Sequence, residues 1–369
     1  MHIAAKLSTR AAFGLVAVFT VSNLCAQTVQ HYTQTNLVSS TSGVAANTDP
    51  NLINPWGLSR SSGGPWWVSD NGTGLSTLYS GTGSTIPLVV TIPGAAKGSI
   101  GSPTGTVYNG TQDFQIAPGK PAAFLFATED GTISGWNPAV SAKAAVIAVN
   151  TKAASVFKGL TMATVTDKYT GVTANFLYAA DFRRGRVKVY DTNFAEVYEM
   201  EERFEIDDLP KGYAPFNVQN IGGNIYVTFA IRGSGGLNEV DGAGLGYVAA
   251  FSSTGKLLTV LDHGTYLNAP WGLAQAPSDF GAYSHDILVG QFGSGEIVAF
   301  NPLTGHLDGI LMNAANQPIQ ISGLWGLAFG NGASSGSATA LYFAAGSNGE
   351  QGGLLGSLVA VENTYGNDR

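Results

Sequence analysis

The chain is expected to form an all-β domain: a six-bladed β-propeller with four-stranded blades, closed by its N-terminal strand. Three features point there: the composition, a phrase that recurs six times, and the strand pattern that follows each copy. Glycine supplies 49 of 369 residues, nearly double the ~7% typical of soluble proteins, and charged residues make up 12% against a usual ~25%. The hydrophobic share of 44% is ordinary, which excludes a disordered polar chain. The glycines keep no three-residue period, which excludes collagen. Short strands joined by many tight turns fit such a composition.

The phrase Asn54-Pro55-Trp56-Gly57-Leu58-Ser59 recurs as Ala269-Pro270-Trp271-Gly272-Leu273-Ala274 and as Gly323-Leu324-Trp325-Gly326-Leu327-Ala328. Weaker copies are Pro103-Thr104-Gly105-Thr106-Val107, Phe157-Lys158-Gly159-Leu160-Thr161 and Ala214-Pro215-Phe216-Asn217-Val218. Anchored at positions 57, 105, 159, 217, 272 and 326, the copies stand 48 to 58 residues apart. An apolar segment and a polar turn follow each, as in Trp67-Val68-Ser69-Asp70-Asn71-Gly72 and Tyr178-Ala179-Ala180-Asp181-Phe182-Arg183. A strand of period-two alternation comes next, such as Arg186-Val187-Lys188-Val189-Tyr190, then a turn and a fourth strand. Four strands per repeat, six times, is the signature of a propeller. The anchor glycines are expected where strands crowd the central channel and a side chain would clash. Trp56, Trp271 and Trp325 are expected to pack between adjacent blades, with sugar-stacking platforms as the alternative.

The segment Tyr32–Ser39 precedes blade one and has strand character. As the outer strand of blade six it would close the ring and remove an exposed sheet edge. Residues 1–26 read as an export signal: Lys6 and Arg10, an apolar run from Ala11 to Leu24 too short for a comfortable span, and cleavage after Ala26. Its loss shifts the net charge from −7 to −9 and removes Cys25, the only cysteine. The remaining domain, 27–369, would then have no disulfide, no thiolate nucleophile and no cysteine–metal site. The expectation is a secreted or periplasmic monomer with no membrane span. An acidic balance argues against nucleic acid as partner. The basic stretch Arg183, Arg184, Arg186, Lys188 is closely followed by Glu196, Glu199, Glu201, Glu202, Glu205, Asp207 and Asp208, so mutual pairing is expected.

Asn54-Pro55-Trp56-Gly57-Leu58, Ala180-Asp181-Phe182-Arg183-Arg184-Gly185, Ala214-Pro215-Phe216-Asn217-Val218 and Ala269-Pro270-Trp271-Gly272-Leu273 resemble a family of secreted, functionally uncharacterised six-bladed propellers. The resemblance covers nearly the whole domain. At greater distance the repeats are similar to those of NHL-repeat and gluconolactonase/regucalcin-like propellers. This implies fold and export and little about activity, because propellers host hydrolases, lyases, oxidoreductases and binding modules.

In a propeller the turn between second and third strands opens on the same face as the entry to each first strand, so both phrases line one rim. The turn positions are Asp70-Asn71, Glu129-Asp130, Asp181-Phe182-Arg183, Phe229-Ala230, Gln291-Phe292 and Ser347-Asn348; Asn54, Asn217 and Asn268 come from strand entries. Blades one to three thus aim carboxylates at one half of the rim. Carboxylates and amides suit a hard cation such as Ca²⁺ or another divalent ion. The gluconolactonase-like resemblance implies Asp70, Glu129, Asp181 and Asn217 as its candidate ligands; the competing reading is that Asp-Asn-Gly and Glu-Asp-Gly are good turn formers. Arg183 would neutralise an anionic ligand or pair with Asp181.

Other chemistry is poorly represented. No histidine has metal-ligand spacing, Gly332-Ala333-Ser334-Ser335-Gly336 lacks the strand–turn–helix setting of a nucleophile elbow, and there is no nucleotide, flavin or haem signal. Two functions therefore stand. One is binding of a small molecule, glycan or extracellular protein at the channel rim. The other is a divalent-metal-assisted hydrolase or lyase acting on a lactone, sugar acid or similar oxygen-rich substrate.

Overall fold

The computed structural model describes residues 30–166, 170–201 and 204–361; the expected export signal lies outside them. Six antiparallel sheets stand around one axis. From the channel outward, blade one is Pro55–Ser59, Trp66–Asp70, Leu75–Tyr79 and Thr85–Thr91, and blade two is Pro103–Tyr108, Phe124–Thr128, Thr132–Trp136 and Val146–Asn150. Blade four is Tyr213–Ile221, Asn224–Arg232, Tyr247–Phe251 and Leu257–Val260, and blade five is Pro270–Gln275, Ile287–Gln291, Ile297–Phe300 and Leu307–Ile310. Blade six is Leu324–Phe329, Leu341–Ala345 and Leu354–Ala360, with Tyr32–Ser39 as its outer strand. The closure expected from the sequence is therefore observed, with register pairs from Tyr32↔Ala360 to Ser39↔Leu354. Proline opens three inner strands, at 55, 103 and 270, where a missing N–H costs no ladder bond.

Blade three departs from the four-strand expectation. It has Phe157–Thr166, Thr173–Asp181 and Arg186–Tyr190, but its fourth strand shrinks to one bridge, Tyr190↔Glu196. The chain then enters a short helix, Tyr198–Glu201. Glutamates at 196, 199 and 201 have low β-propensity. Val197, Met200 and Ile206 pack instead against the core between blades three and four.

Period-two alternation builds that core. Each strand's side chains point alternately toward the two neighbouring blades, so the described residues form six inter-blade clusters and one in the channel. Adjacent Trp66 and Trp67 show the rule: Trp66 packs toward blade six beside Tyr342, and Trp67 toward blade two beside Phe124.

The anchor column closes the ring from inside. A Cβ on Gly57 would lie 2.5 Å from the Thr104 carbonyl oxygen, on Gly105 2.7 Å from the Gly159 carbonyl carbon, and on Gly159 2.7 Å from Asn217 Cα. On Gly272 it would lie 2.6 Å from the Trp325 carbonyl oxygen, and on Gly326 it would strike the Trp56 carbonyl. Asn217, the one anchor that is not glycine, donates from Nδ2 to the Trp271 carbonyl at 2.7 Å. Each inner strand thus meets the next backbone to backbone, where no side chain can yield. Gly57→Ala is expected to cost ~1–3 kcal/mol through overpacking. Gly63→Ala, facing open space, should stay within ~0.5 kcal/mol. Equal melting temperatures for the two variants would contradict this.

At the start of a blade-five strand, burial and then the neighbouring Asp308 push the Asp286 carboxyl up to about 6. A raised folded-state pKa contributes stability that is full below 3.8 and lost as pH rises through about 6. Asp286→Asn is expected to flatten that part of the melting profile, and an unchanged slope between pH 4 and 6.5 would refute the assignment.

Candidate functional site

The residue before each anchor points into the channel. That column reads Trp56, Thr104, Lys158, Phe216, Trp271, Trp325, and each inner strand is irregular there, with a register shift such as Phe157/Gly159 or Pro270/Gly272. The tryptophans therefore do not pack between blades. Trp56 stacks on Trp325 with ring centroids 3.5 Å apart, Trp271 meets both edge-on at 5.8 Å, and Phe216 and Phe182 join them. All three are at most 3% exposed, so their faces are spent on one another and form a plug rather than an open platform.

One cation sits in this plug. Lys158, 1% exposed, lies 4.8 Å over the Trp56 ring and 5.8 and 5.9 Å from those of Phe182 and Phe216. Its Nζ donates to Glu129 Oε1 at 2.6 Å and lies 3.5 Å from Glu239 Oε2. Burial alone would lower the Lys158 pKa, but Glu129 and Glu239 outweigh it and the net shift is upward, so the ammonium stays charged.

Around it runs a polar network drawn from blades one, two, four and six. Trp325 Nε1 donates to Asn54 Oδ1 at 3.0 Å; Asn54 Nδ2 reaches Glu350 Oε1 at 3.3 Å and Asn71 Oδ1 at 3.4 Å. Asn71 Nδ2 donates to Glu129 Oε2 at 3.0 Å. Asn54 holds its place with φ 46°, a left-handed conformation that asparagine tolerates better than most residues. Burial first, then the carboxylates of Glu239 and Glu129, push the Glu350 pKa up. Three carboxyl groups thus face one ammonium. Glu239 Oε2 is buried without a hydrogen bond, and so are the indole N–H groups of Trp56 and Trp271. Beside Glu350 the mouth opens into a cleft of about 540 Å³ lined by Asp241, Phe292, Ser294 and Gln320. Phe292 stacks on Trp325 at 4.1 Å.

Of the rim residues expected from the sequence, the network gathers Asn54, Asn71 and Glu129. The others serve locally. Asp70 accepts from the Thr77 hydroxyl at 2.8 Å inside blade one, where burial holds its carboxyl well above the usual range. Asp130 accepts from the Ser102 N–H at 2.7 Å. Asp181 takes the N–H groups of Val156 at 3.3 Å and Arg184 at 3.1 Å, and burial raises its pKa. Arg183 donates to the Ala153 carbonyl at 2.9 Å rather than pairing with Asp181. Asn268 receives the Gly242 N–H at 2.6 Å, and its own N–H goes to Gln291 Oε1 at 2.8 Å. Asn217 is the channel-wall anchor described above.

Phe229 is corrected from turn to strand. The second strand of blade four runs on to Arg232, and Phe229 packs in the core between blades three and four. The segment after Arg232 carries Glu239 over the channel, and the longer turn of blade six carries Glu350, both in glycine-rich stretches without periodicity. Lys158 was discoverable, since it is the only charged residue in the pre-anchor column. Among the described residues no three His, Cys, Asp or Glu side chains are grouped to hold a metal ion. Asp70, Glu129 and Asp181 sit on three blades, each engaged as above, so with Asn217 they do not assemble the cation site that the resemblance implies. Of the expected pairing between basic and acidic stretches, Lys188–Glu196 is the ion pair seen among the described residues.

These features define a six-bladed β-propeller with an aromatic plug and a charged mouth. The chain belongs to the same family as two uncharacterized proteins of Acanthamoeba polyphaga mimivirus. R648 is 32% identical over 301 residues, 79% of this chain and 72% of that protein; L690 is 31% identical over 343 residues, 89% and 86% respectively. No family model matches the chain. Among solved structures it is similar to a streptogramin B lyase, with TM-score 0.50 and 12% identity over 90% of this chain and 98% of that one. It is also similar to the PQQ-bound aldose sugar dehydrogenase of Streptomyces coelicolor, with TM-score 0.50 and 11% identity over 89% and 98%. At such identities these likenesses establish the fold alone.

Proposed function

We propose that the protein is a binding propeller that holds a small polar molecule, an amine or a polyol, at the mouth of its plugged channel. The observation that carries this reading is Glu239 Oε2, a buried acceptor without a hydrogen bond whose one ionic contact among the described residues is Lys158 Nζ at 3.5 Å, in the same cluster as Glu350, which lines a cleft large enough for a ligand. Three carboxyl groups against one ammonium leave acceptor capacity that a ligand's N–H or O–H groups would satisfy. The sequence expectation of export fits a scavenging or recognition role outside the cell.

A thermal-shift screen of amines and polyols, followed by calorimetry on the hits, tests the reading. Glu239→Gln and Glu350→Gln keep the shape and remove charge, and each is expected to weaken a true ligand about tenfold or more. Hits that bind both variants as well as the parent would place the site elsewhere. Because Lys158 already fills the centre of the acidic mouth, added Ca²⁺ or a chelator should leave the melting temperature unchanged. A chelator-dependent fall would instead favour the metal-assisted hydrolase or lyase.

A further inference from the structure

A second cleft, of about 420 Å³, lies away from the channel where the end of blade two meets blade three. Its walls carry Arg184, Arg186, Lys188, Glu196, Ser155 and Tyr198. Lys188 pairs with Glu196, which leaves two guanidinium groups without a carboxylate among the described residues. Arg184 is held in place by one bond, from Nε to the Ala154 carbonyl at 3.0 Å, so its terminal nitrogens keep their donors. Both arginines are exposed. Arg183 and Arg232 extend the basic arc, with Arg232 Nη1 donating to the Arg183 carbonyl at 3.1 Å. A local excess of positive charge on a chain of net charge −7 is not background. At the same cleft Tyr198 is 65% exposed, unusual for a large aromatic ring.

We propose that this cleft binds an acidic sugar, a short chain of uronic-acid units. Arg184 and Arg186 offer planar forks that take carboxylates through two parallel N–H bonds. Tyr198 offers an apolar face to the C–H face of a sugar ring, and the exposed Asn150 amide on the cleft wall offers a partner for ring hydroxyls. The volume falls within the range of small-molecule sites. One carboxylate per sugar matches two free guanidinium groups beside a neutralised Lys188–Glu196 pair; a denser polyanion would meet Glu196 and the acidic remainder of the chain.

Calorimetry with trigalacturonate, a neutral galactose trimer of equal length and a nucleoside diphosphate decides the matter. The uronate is expected to bind and to weaken as salt rises. Arg184→Gln and Arg186→Gln should each weaken it about tenfold or more without changing the melting temperature, since both side chains are exposed. Glu350→Gln, at the channel mouth, should leave uronate binding intact. No uronate binding, equal binding of the neutral trimer, tighter binding of the nucleotide, or uronate affinity unchanged in both arginine variants would each overturn the proposal.

Discussion

Deletion of residues 27–40 is expected to abolish the cooperative melting transition rather than lower its midpoint. The deleted stretch contains the whole outer strand of blade six, paired along its length with Leu354–Ala360. It also fills two inter-blade cores at once. Tyr32, 2% exposed, packs beside Phe280 toward blade five and donates its hydroxyl to the Phe280 carbonyl at 3.0 Å; Val38, fully buried, packs toward blade one. Without it, blade six presents an unpaired edge with exposed apolar rows on both faces, a template for aggregation. Blades one and six also meet through the Trp56–Trp325 stack and Arg60, but Tyr32–Ser39 is the strand that ties the N-terminal end of the ring into blade six, so its loss should uncouple the blades. Calorimetry on the deleted protein provides the check: a transition as sharp as the parent's would show that the ring holds without its closing strand.

Lys158→Met is the second large expected effect, a destabilisation of about 3–5 kcal/mol at neutral pH. Methionine replaces the stem well but leaves Glu129, Glu239 and Glu350 facing one another without a counter-charge, and stranding buried charge is what makes such changes severe. The effect carries a pH signature. In the variant, mutual repulsion raises the carboxyl pKa values in the folded state. Their contribution is then full below the unfolded value near 4.5 and lost as pH rises, so the deficit should shrink on acidification. In the parent, the raised Lys158 pKa keeps its contribution below 10.5 and loses it above. Adding Glu129→Gln and Glu239→Gln to Lys158→Met should recover most of the stability, because Glu350 then has no carboxylate facing it and needs no ammonium. A deficit independent of pH, or no recovery in the triple variant, would show that the lysine matters for its packing alone.

Much of this molecule was legible in one dimension. The six anchors, the alternation that sorts Trp66 and Trp67 to opposite faces, and the strand character of Tyr32–Ser39 are all local patterns. Local patterns suffice for blades, since each is a meander of neighbouring strands and the ring repeats it. The local signal weakens at two places. The strand that holds Phe229 outruns the repeat and so puts it where a turn is expected, and the irregularity that turns the tryptophans into the channel leaves no mark on periodicity.

The sequence alone determined the architecture, its closing strand and three members of the mouth: Asn54, Asn71 and Glu129. Only the tertiary structure decided that Glu239 and Glu350 meet them around Lys158. Those residues come from different blades, far apart in the chain, and two of them ride on glycine-rich segments with no pattern to read. Ring closure brings them to one axis. There, a fully buried ammonium and its partly buried carboxylates turn residues scattered along the chain into one charge cluster. Five of the 49 glycines stand at the same axis, where backbones can meet only because side chains are missing.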